Sequence, residues 1–176
     1  MADYGLLAKQ IISLAEVDAH WLPVLSNAAA LLWYALDDIN WAGFYLVDPA
    51  TVTGAEPVMG SGLESGSEPA SPELHLGPFQ GKVACVRIPF GRGVCGTAAA
   101  TKTGQLVEDV HQFPGHIACD SASNSEVVVP IFEGYQVVGV LDIDSPSVAR
   151  FTQEDLAGLE QVVKALESCV DFSDFC

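Results

Sequence analysis

Two apolar runs separated by a short turn constrain this chain more than any other feature of its sequence. The first run, EVVVPIFEG, begins at Glu126, and the second, QVVGVLDID, ends at Asp144. Branched apolar residues favour strands, and Gly134 with Tyr135 supplies a tight turn between the two runs. The pair therefore predicts an antiparallel hairpin around which the rest of the fold must be arranged.

Helical periodicity occurs on both sides of this hairpin. Apolar residues recur at helical spacing over about residues 4–17 and 21–38, and a last helix is predicted to begin at Thr152 and to continue to about residue 170. The runs NWAGFYLV, ELHLGPF, ACVRIPF and QLVEDV are typical of strands, and a short helix is predicted to end near residue 102. The sequence thus predicts an α+β fold, a mostly antiparallel sheet of about six strands with N- and C-terminal helices packed on it.

The length of the chain, 176 residues, suits one domain of ordinary size. Residues 49–72 are rich in Gly, Ser, Pro and Glu, a composition typical of a flexible loop. Because predicted strands lie on both sides, we interpret this segment as an insertion at the tip of a hairpin. We therefore predict a single domain over residues 1–176.

Charge and cysteine content narrow the possible partners. The net charge of −16 disfavours binding to nucleic acid or to anionic membranes. The N-terminus lacks the pattern of a signal peptide, and no apolar run is long enough for a membrane helix. Five cysteines at irregular spacing, without a C-x-x-C pair, predict neither a disulfide framework nor a structural zinc site. These features predict a soluble cytoplasmic protein without a bound metal.

The stretch GRGVCGT, residues 91–97, contains the pattern G-x-G-x-x-G with Cys95 near the start of a predicted helix. A dinucleotide site needs this pattern inside a parallel βαβ unit, which the antiparallel hairpin downstream does not favour. The glycines are instead expected to form a tight turn. Cys95 then has two interpretations, ordinary packing of a small side chain or a thiol whose pKa is lowered by the helix N-terminus.

Three acids are predicted to meet at the open end of the hairpin. Asp142 and Asp144 are two residues apart, so they point to the same face of their strand. The turn places Glu126 opposite position 143, give or take one residue, and therefore beside both aspartates. Carboxylates this close repel one another, so at least one should have a raised pKa and hold a proton near neutrality. The alternatives are three solvated acids at a sheet end, or a site for Mg²⁺ or Ca²⁺.

The remaining cysteines have different surroundings. Cys119 lies in GHIACDSASNSE among small polar residues, which predicts an accessible thiol. His116, three residues earlier, is either a base for that thiol or a solvated loop histidine. Cys85 is predicted to lie on a strand in the core. Cys169 and Cys176 have no acidic cluster or glycine loop beside them, and we assign them no role.

The segments NWAGFY, LGPFQGKVACVRIPFGRGVCGTA, VEDVHQFPGHIACDSASNSEVVVP and GVLDIDS together resemble the GAF-fold free methionine-(R)-sulfoxide reductases, over about residues 6–166. The resemblance implies a GAF-like domain that reduces free methionine (R)-sulfoxide without a cofactor. It also implies a homodimer, which apolar residues on more than one face of the first two helices favour. The chain departs from bacterial members of that family in the longer segment after Asp48.

The resemblance also implies roles for residues of the binding site. Trp41, in NWAGFY, matches the aromatic wall that contacts the S-methyl group of the substrate. Glu126, Asp142 and Asp144 match the acids that hold the sulfoxide oxygen and the amine. A carboxylic acid, with Glu126 and Asp144 as the candidates, would protonate the oxygen.

Three cysteines would carry the redox chemistry. Cys119 is the expected nucleophile and would become a sulfenic acid, which a second thiol converts to a disulfide. Both Cys85 and Cys95 match family cysteines, and the sequence does not rank them as the second thiol. Attack by Cys95 with Cys119 resolving is the alternative assignment. Thioredoxin would then reduce the disulfide, as in the family.

Two other functions remain possible for this sequence. One is a GAF domain that binds a small ligand as a sensor and performs no chemistry. The other is a thiol peroxidase or a disulfide exchanger. Turnover of racemic methionine sulfoxide in the presence of a dithiol would separate these functions from a reductase.

Overall fold

The order of helices and strands follows the prediction. The structure is a computed structural model that describes residues 2–48, 72–115 and 121–175. Residues 49–71 of the predicted loop lie outside the described residues. The helices are α1 (Tyr4–Ala15), α2 (Trp21–Ala35), α3 (Gly93–Thr101) and α4 (Gln153–Cys169), and the strands are β1 (Trp41–Val47), β2 (Glu73–Gly81), β3 (Arg87–Pro89), β4 (Gln105–Val107), β5 (Ser125–Glu133) and β6 (Gln136–Ser145).

The six strands form one sheet in the order β3-β2-β1-β6-β5-β4, and neighbouring strands are antiparallel. The predicted hairpin is β5-β6, and Gly134 in its turn has a φ of +60°. Glu126 pairs with Asp144, one residue from the predicted position. The α+β prediction is therefore confirmed, and the hairpin lies inside the sheet rather than at its edge.

Three helices cover one face of the sheet. Along β1, Phe44 and Leu46 pack into the core that α1, α2 and α4 share with the sheet. Trp41 and Tyr45 of the same strand point to the opposite face and belong to a second, smaller core. Because both faces are covered, β1 is buried along its whole length. The alternation of side chains along β1 thus divides the molecule into a helix face and an α3 face.

A buried acid ties the first and last helices together. Thr152 caps α4, and it forms a reciprocal capping box with Asp155. The hydroxyl of Tyr4 in α1 donates a hydrogen bond to Asp155 over 2.6 Å. Gly158 is required one turn later, since a Cβ there would clash with the Tyr4 ring. No helix in the described part of the chain has the length and apolar character needed to cross a bilayer.

Candidate active site

The α3 face brings the predicted acids and the predicted aromatic wall into one row. Trp41 of β1 pairs with Asp144 of β6, which in turn pairs with Glu126 of β5. Asp142 lies two residues before Asp144 and shares its face. Four of the predicted site residues are therefore placed by the register of three neighbouring strands.

The aromatic wall consists of three stacked rings. The Trp41 ring centroid lies 5.7 Å from that of Tyr45 and 5.3 Å from that of Phe79. Gly43 makes this possible, because a Cβ there would clash with Phe79 and with the Trp41 ring. Tyr45 was not predicted as a site residue, although its position four residues after Trp41 on one strand places both on the same face. The stack leaves Trp41 only 3% exposed.

Two of the three acids are buried. Glu126 is 6% exposed and Asp142 is 5% exposed, whereas Asp144 is half-buried. Burial, together with the charges of Asp142 and Asp144, raises the pKa of Glu126 well above its usual value. Burial also raises the pKa of Asp142 to about 7. At least one acid of this site thus has the raised pKa that the sequence predicts, and Glu126 and Asp142 are not solvated acids.

Of the two interpretations of Cys95, ordinary packing agrees with the structure and a lowered pKa does not. The Cys95 thiol lies in the first turn of α3, as predicted, but it is buried and donates toward Glu126 Oε1 over 3.8 Å. Burial and the charges of Asp142 and Glu126 raise the pKa of Cys95 well above its usual value. The nearby acids and the loss of solvent therefore outweigh the helix N-terminus, and Cys95 is a neutral thiol at rest.

The glycine pattern before Cys95 forms a tight turn. Gly91 and Gly93 have φ values of +78° and +61°, and the Gly91 N–H donates to the carbonyl of Gly96 over 2.7 Å. A Cβ on Gly96 would clash with the carbonyl of Pro89. The loop enters α3 from an antiparallel sheet, so the strand-helix-strand setting of a dinucleotide site is not formed by these elements.

The prediction that Cys85 lies on a strand in the core is wrong. Strand β3 begins only at Arg87, and Cys85 is half-buried in the segment before it. Cys85 is disulfide-bonded, while Cys95 and Cys169 are free thiols. The other half of that bond lies outside the described residues.

Some candidate residues cannot be placed in this site. Cys119, His116 and Cys176 lie outside the described residues, and what the sequence predicts for them stays a prediction. The described part of the site therefore comprises the aromatic wall, the three acids and two of the predicted redox cysteines.

Two polar atoms in the site are buried and have no hydrogen-bond partner among the described residues. One is Trp41 Nε1, a donor, and the other is Asp142 Oδ1. Buried polar groups are normally satisfied, so an unpaired donor and an unpaired acceptor on the same face of the sheet indicate a place for a polar ligand. Three possible metal-binding atoms also lie within 4.8 Å of one another, namely Cys95 Sγ and one carboxylate oxygen each of Glu126 and Asp142. A thiophilic cation could use these atoms only after displacing the protons that burial retains.

Comparison with known proteins places the chain in a family. A model of the GAF domain matches residues 12–170. The protein of Escherichia coli (strain K12) called free methionine-R-sulfoxide reductase is 48% identical, over 98% of this chain and 91% of the relative. Its Saccharomyces cerevisiae namesake is 44% identical, over 89% and 80% of the two chains.

This chain is also similar to a solved structure whose name is the same as that of these relatives. The free methionine-R-sulfoxide reductase from Neisseria meningitidis, in complex with its substrate, is 40% identical and superposes with a TM-score of 0.81. The match covers 97% of this chain and 90% of that one. With a GAF fold, a row of acids beside an aromatic wall, and relatives of this identity over nearly the whole chain, this protein belongs to the free methionine-R-sulfoxide reductases, a family of GAF-domain enzymes.

Proposed function

We propose that this protein reduces free methionine (R)-sulfoxide to methionine. The relatives carry that name, and one structural observation carries the proposal for this chain. Glu126 and Asp142, both buried and both with raised pKa values, lie beside the aromatic wall of Trp41. A sulfoxide oxygen needs a proton as its bond to sulfur breaks, and a carboxylic acid protonated at neutral pH is a suitable donor.

Substrate binding uses the same residues. The ammonium group of a free amino acid would be held by Asp142 and Asp144, since Asp142 Oδ1 has no partner among the described residues. With a pKa of about 7, Asp142 would release its proton when the cation binds beside it. The S-methyl group would contact the Trp41 ring, because a polarisable sulfur and its methyl group pack well against an aromatic ring. Methionine within a polypeptide has no free ammonium group at this position, so the acids select the free amino acid.

The first chemical step would be attack by the Cys119 thiolate on the sulfoxide sulfur. Glu126 is the best-supported proton donor to the oxygen, with Asp144 as the second candidate. The oxygen ends on Cys119 as a sulfenic acid, and methionine leaves as the reduced thioether. Cys95 is a poorer nucleophile than an exposed thiol, because burial raises its pKa.

Cys85 would be the resolving thiol. It condenses with the Cys119 sulfenic acid, losing water and forming a disulfide. Cys85 is disulfide-bonded in the structure and Cys95 is free, which favours Cys85 over Cys95 for this step. A dithiol reductant such as thioredoxin would then restore both thiols by exchange.

The protein would act as a cytoplasmic homodimer. Leu6 and Ile12 of α1 are 52% and 39% exposed, and burying them against a second copy would remove apolar surface from water. A reducing compartment is required for a cycle that depends on a dithiol donor.

Incubation with racemic methionine sulfoxide and dithiothreitol tests the proposed activity. A stereoselective reductase consumes half of the sulfoxide and leaves the S epimer. A GAF sensor without chemistry would consume none. A thiol peroxidase would instead turn over hydrogen peroxide under the same conditions and leave both epimers.

A further inference from the structure

The segment around Cys85 is the most basic stretch of an acidic protein. No Asp or Glu occurs between residues 73 and 108, where four of the chain's seven Lys and Arg residues lie. Lys82, Arg87 and Arg92 in this stretch are exposed. Arg87 forms an ion pair with Glu73, with 3.7 Å between Arg87 Nη1 and Glu73 Oε2. The Arg87 side chain nevertheless remains 67% exposed. Positive charge is thus displayed locally on a chain whose net charge is −16.

Exposed apolar side chains lie on both sides of Cys85. Val83 is 87% exposed and Val86 is 72% exposed. Ala84 and Cys85, between them, are partly buried against the smaller core that contains Trp41. Cys85 therefore lies between the active-site core and a small apolar surface that is open to solvent.

The backbone of this surface is held at both ends. The Leu76 N–H of β2 donates to the carbonyl of Val86 over 3.0 Å, and Arg87 pairs with His75. At the other end, Gly81 pairs with Trp41 of β1. A surface fixed in this way needs little ordering when a partner binds.

We propose that a protein reductant docks on the surface formed by Lys82, Val83, Cys85, Val86 and Arg87, the Cys85 surface, and attacks Cys85 Sγ. This inference rests on the proposed function, which supplies the disulfide to be reduced. The occupant is a dithiol protein whose reactive thiol lies in an apolar patch with acidic residues at its rim. Charge complementarity supports this choice, because acidic proteins would otherwise be repelled by the net charge of the enzyme.

The exchange balances in two steps. The reductant thiolate attacks Cys85 Sγ, forms a mixed disulfide there, and breaks the bond to Cys119, which leaves as a thiolate. The second thiol of the reductant then attacks the mixed disulfide and releases Cys85 as a thiol. The reductant ends as a disulfide, oxidised by two electrons. The enzyme's nucleophile is thus regenerated in the first step.

Trapping of the mixed disulfide tests the site of attack. The unsubstituted enzyme is oxidised with methionine sulfoxide and mixed with thioredoxin whose second active-site Cys is replaced by Ser. Free thiols are then alkylated and the peptides are analysed by mass spectrometry. The proposal predicts thioredoxin attached to Cys85 and an alkylated Cys119. Attachment to Cys119, or no mixed disulfide, would overturn it.

Charge reversal tests the docking surface. Lys82→Glu should lower kcat/KM for thioredoxin roughly fivefold at low salt, with a smaller loss at high salt. Lys164→Glu, the same charge change on α4 behind the sheet, is the matched control and should change it by less than about twofold. Equal values for the two variants would contradict the docking surface.

Dithiothreitol separates this inference from the proposed function. Lys82→Glu should turn over methionine sulfoxide at the unsubstituted rate with dithiothreitol, since a small uncharged dithiol does not need the surface. A loss of that rate in Lys82→Glu would contradict a docking role. Failure of the unsubstituted enzyme to turn over with either reductant would instead contradict the proposed function.

Discussion

The two faces of the sheet each bury an acid, but they bury it differently. On the helix face, Asp155 accepts hydrogen bonds from Tyr4 and from the Thr152 backbone and lies 3.7 Å from Arg150. On the α3 face, Glu126 and Asp142 face each other, and Asp142 Oδ1 has no partner among the described residues. The acid of the helix face stabilises the fold, whereas the acids of the α3 face cost stability and, as we propose, bind the substrate.

Replacing Glu126 by Gln should have the largest effect on activity. Loss of the proposed proton donor should lower kcat for methionine sulfoxide about 100-fold or more. The free energy of unfolding should stay the same or rise, because a buried acid is replaced by a neutral group. Steady-state kinetics and urea denaturation measure both quantities.

Asp155→Asn is the matched control on the helix face. It should lower the free energy of unfolding, because Tyr4 and the α4 capping box lose an ionised partner, while kcat is retained in the folded protein. If Asp155→Asn abolished kcat and Glu126→Gln did not, the division between the two faces would be wrong.

Leu25→Ala should be the most destabilising of the stability variants. Leu25 of α2 is fully buried in the helix-face core, so its truncation should lower the free energy of unfolding by about 2–5 kcal/mol. Val148→Ala, at a side chain that is 59% exposed, should change it by less than about 0.5 kcal/mol. Chemical denaturation compares the two variants, and equal losses would show that the helix face does not carry the main core.

The acids of the α3 face should make stability depend on pH. Because the pKa of Asp142 is about 7 in the folded protein and lower in the unfolded chain, the folded state binds more protons between about pH 4 and 7. Stability should therefore fall as the pH rises, by up to about 1.4 kcal/mol per pH unit for one group. Thermal denaturation from pH 5 to 7.5 measures this slope.

The variant that carries both Glu126→Gln and Asp142→Asn is the control for this pH dependence. Its stability should change little from pH 5 to 7.5, because neither position can titrate. A slope equal to that of the unsubstituted protein would assign the proton uptake to other groups.

Thr152→Ala should have a smaller effect than the substitutions of the acids and of Leu25. Loss of the α4 cap should lower the free energy of unfolding by about 1 kcal/mol without changing kcat. Thr152→Ser keeps the hydroxyl and should restore most of that stability. A fall in kcat for Thr152→Ala would show that the helix face affects catalysis, which would contradict the assignment of catalysis to the α3 face alone.

Sequence patterns predicted the fold and most of the described site because both depend on local regularities. The period of two in QVVGVLDID placed Asp142 and Asp144 on one face, and the turn at Gly134 fixed the register of Glu126 to within one residue. The predicted start of the last helix at Thr152 is likewise confirmed, since Thr152 caps α4. The predicted loop insertion stays a prediction, because residues 49–71 lie outside the described residues.

The errors concern properties that depend on tertiary packing. The position of Cys95 in a helix was predicted correctly, but its pKa is set by burial and by acids from β5 and β6. Cys85 lies in a run of apolar residues, but β3 begins only at Arg87, and Cys85 is half-buried in the segment before it. The spacing of Tyr45 from Trp41 places both residues on one face, but the stacking of the two rings depends on how they pack.

We expect Cys119 to attack the sulfoxide beside the protonated acids of the α3 face. Methionine release in a single turnover without reductant tests it most directly, in three variants that each replace one cysteine by serine. If Cys119 is the nucleophile, Cys119→Ser releases no methionine, and Cys85→Ser and Cys95→Ser each release one equivalent. One equivalent from Cys119→Ser together with none from Cys95→Ser would contradict it and assign the attack to Cys95.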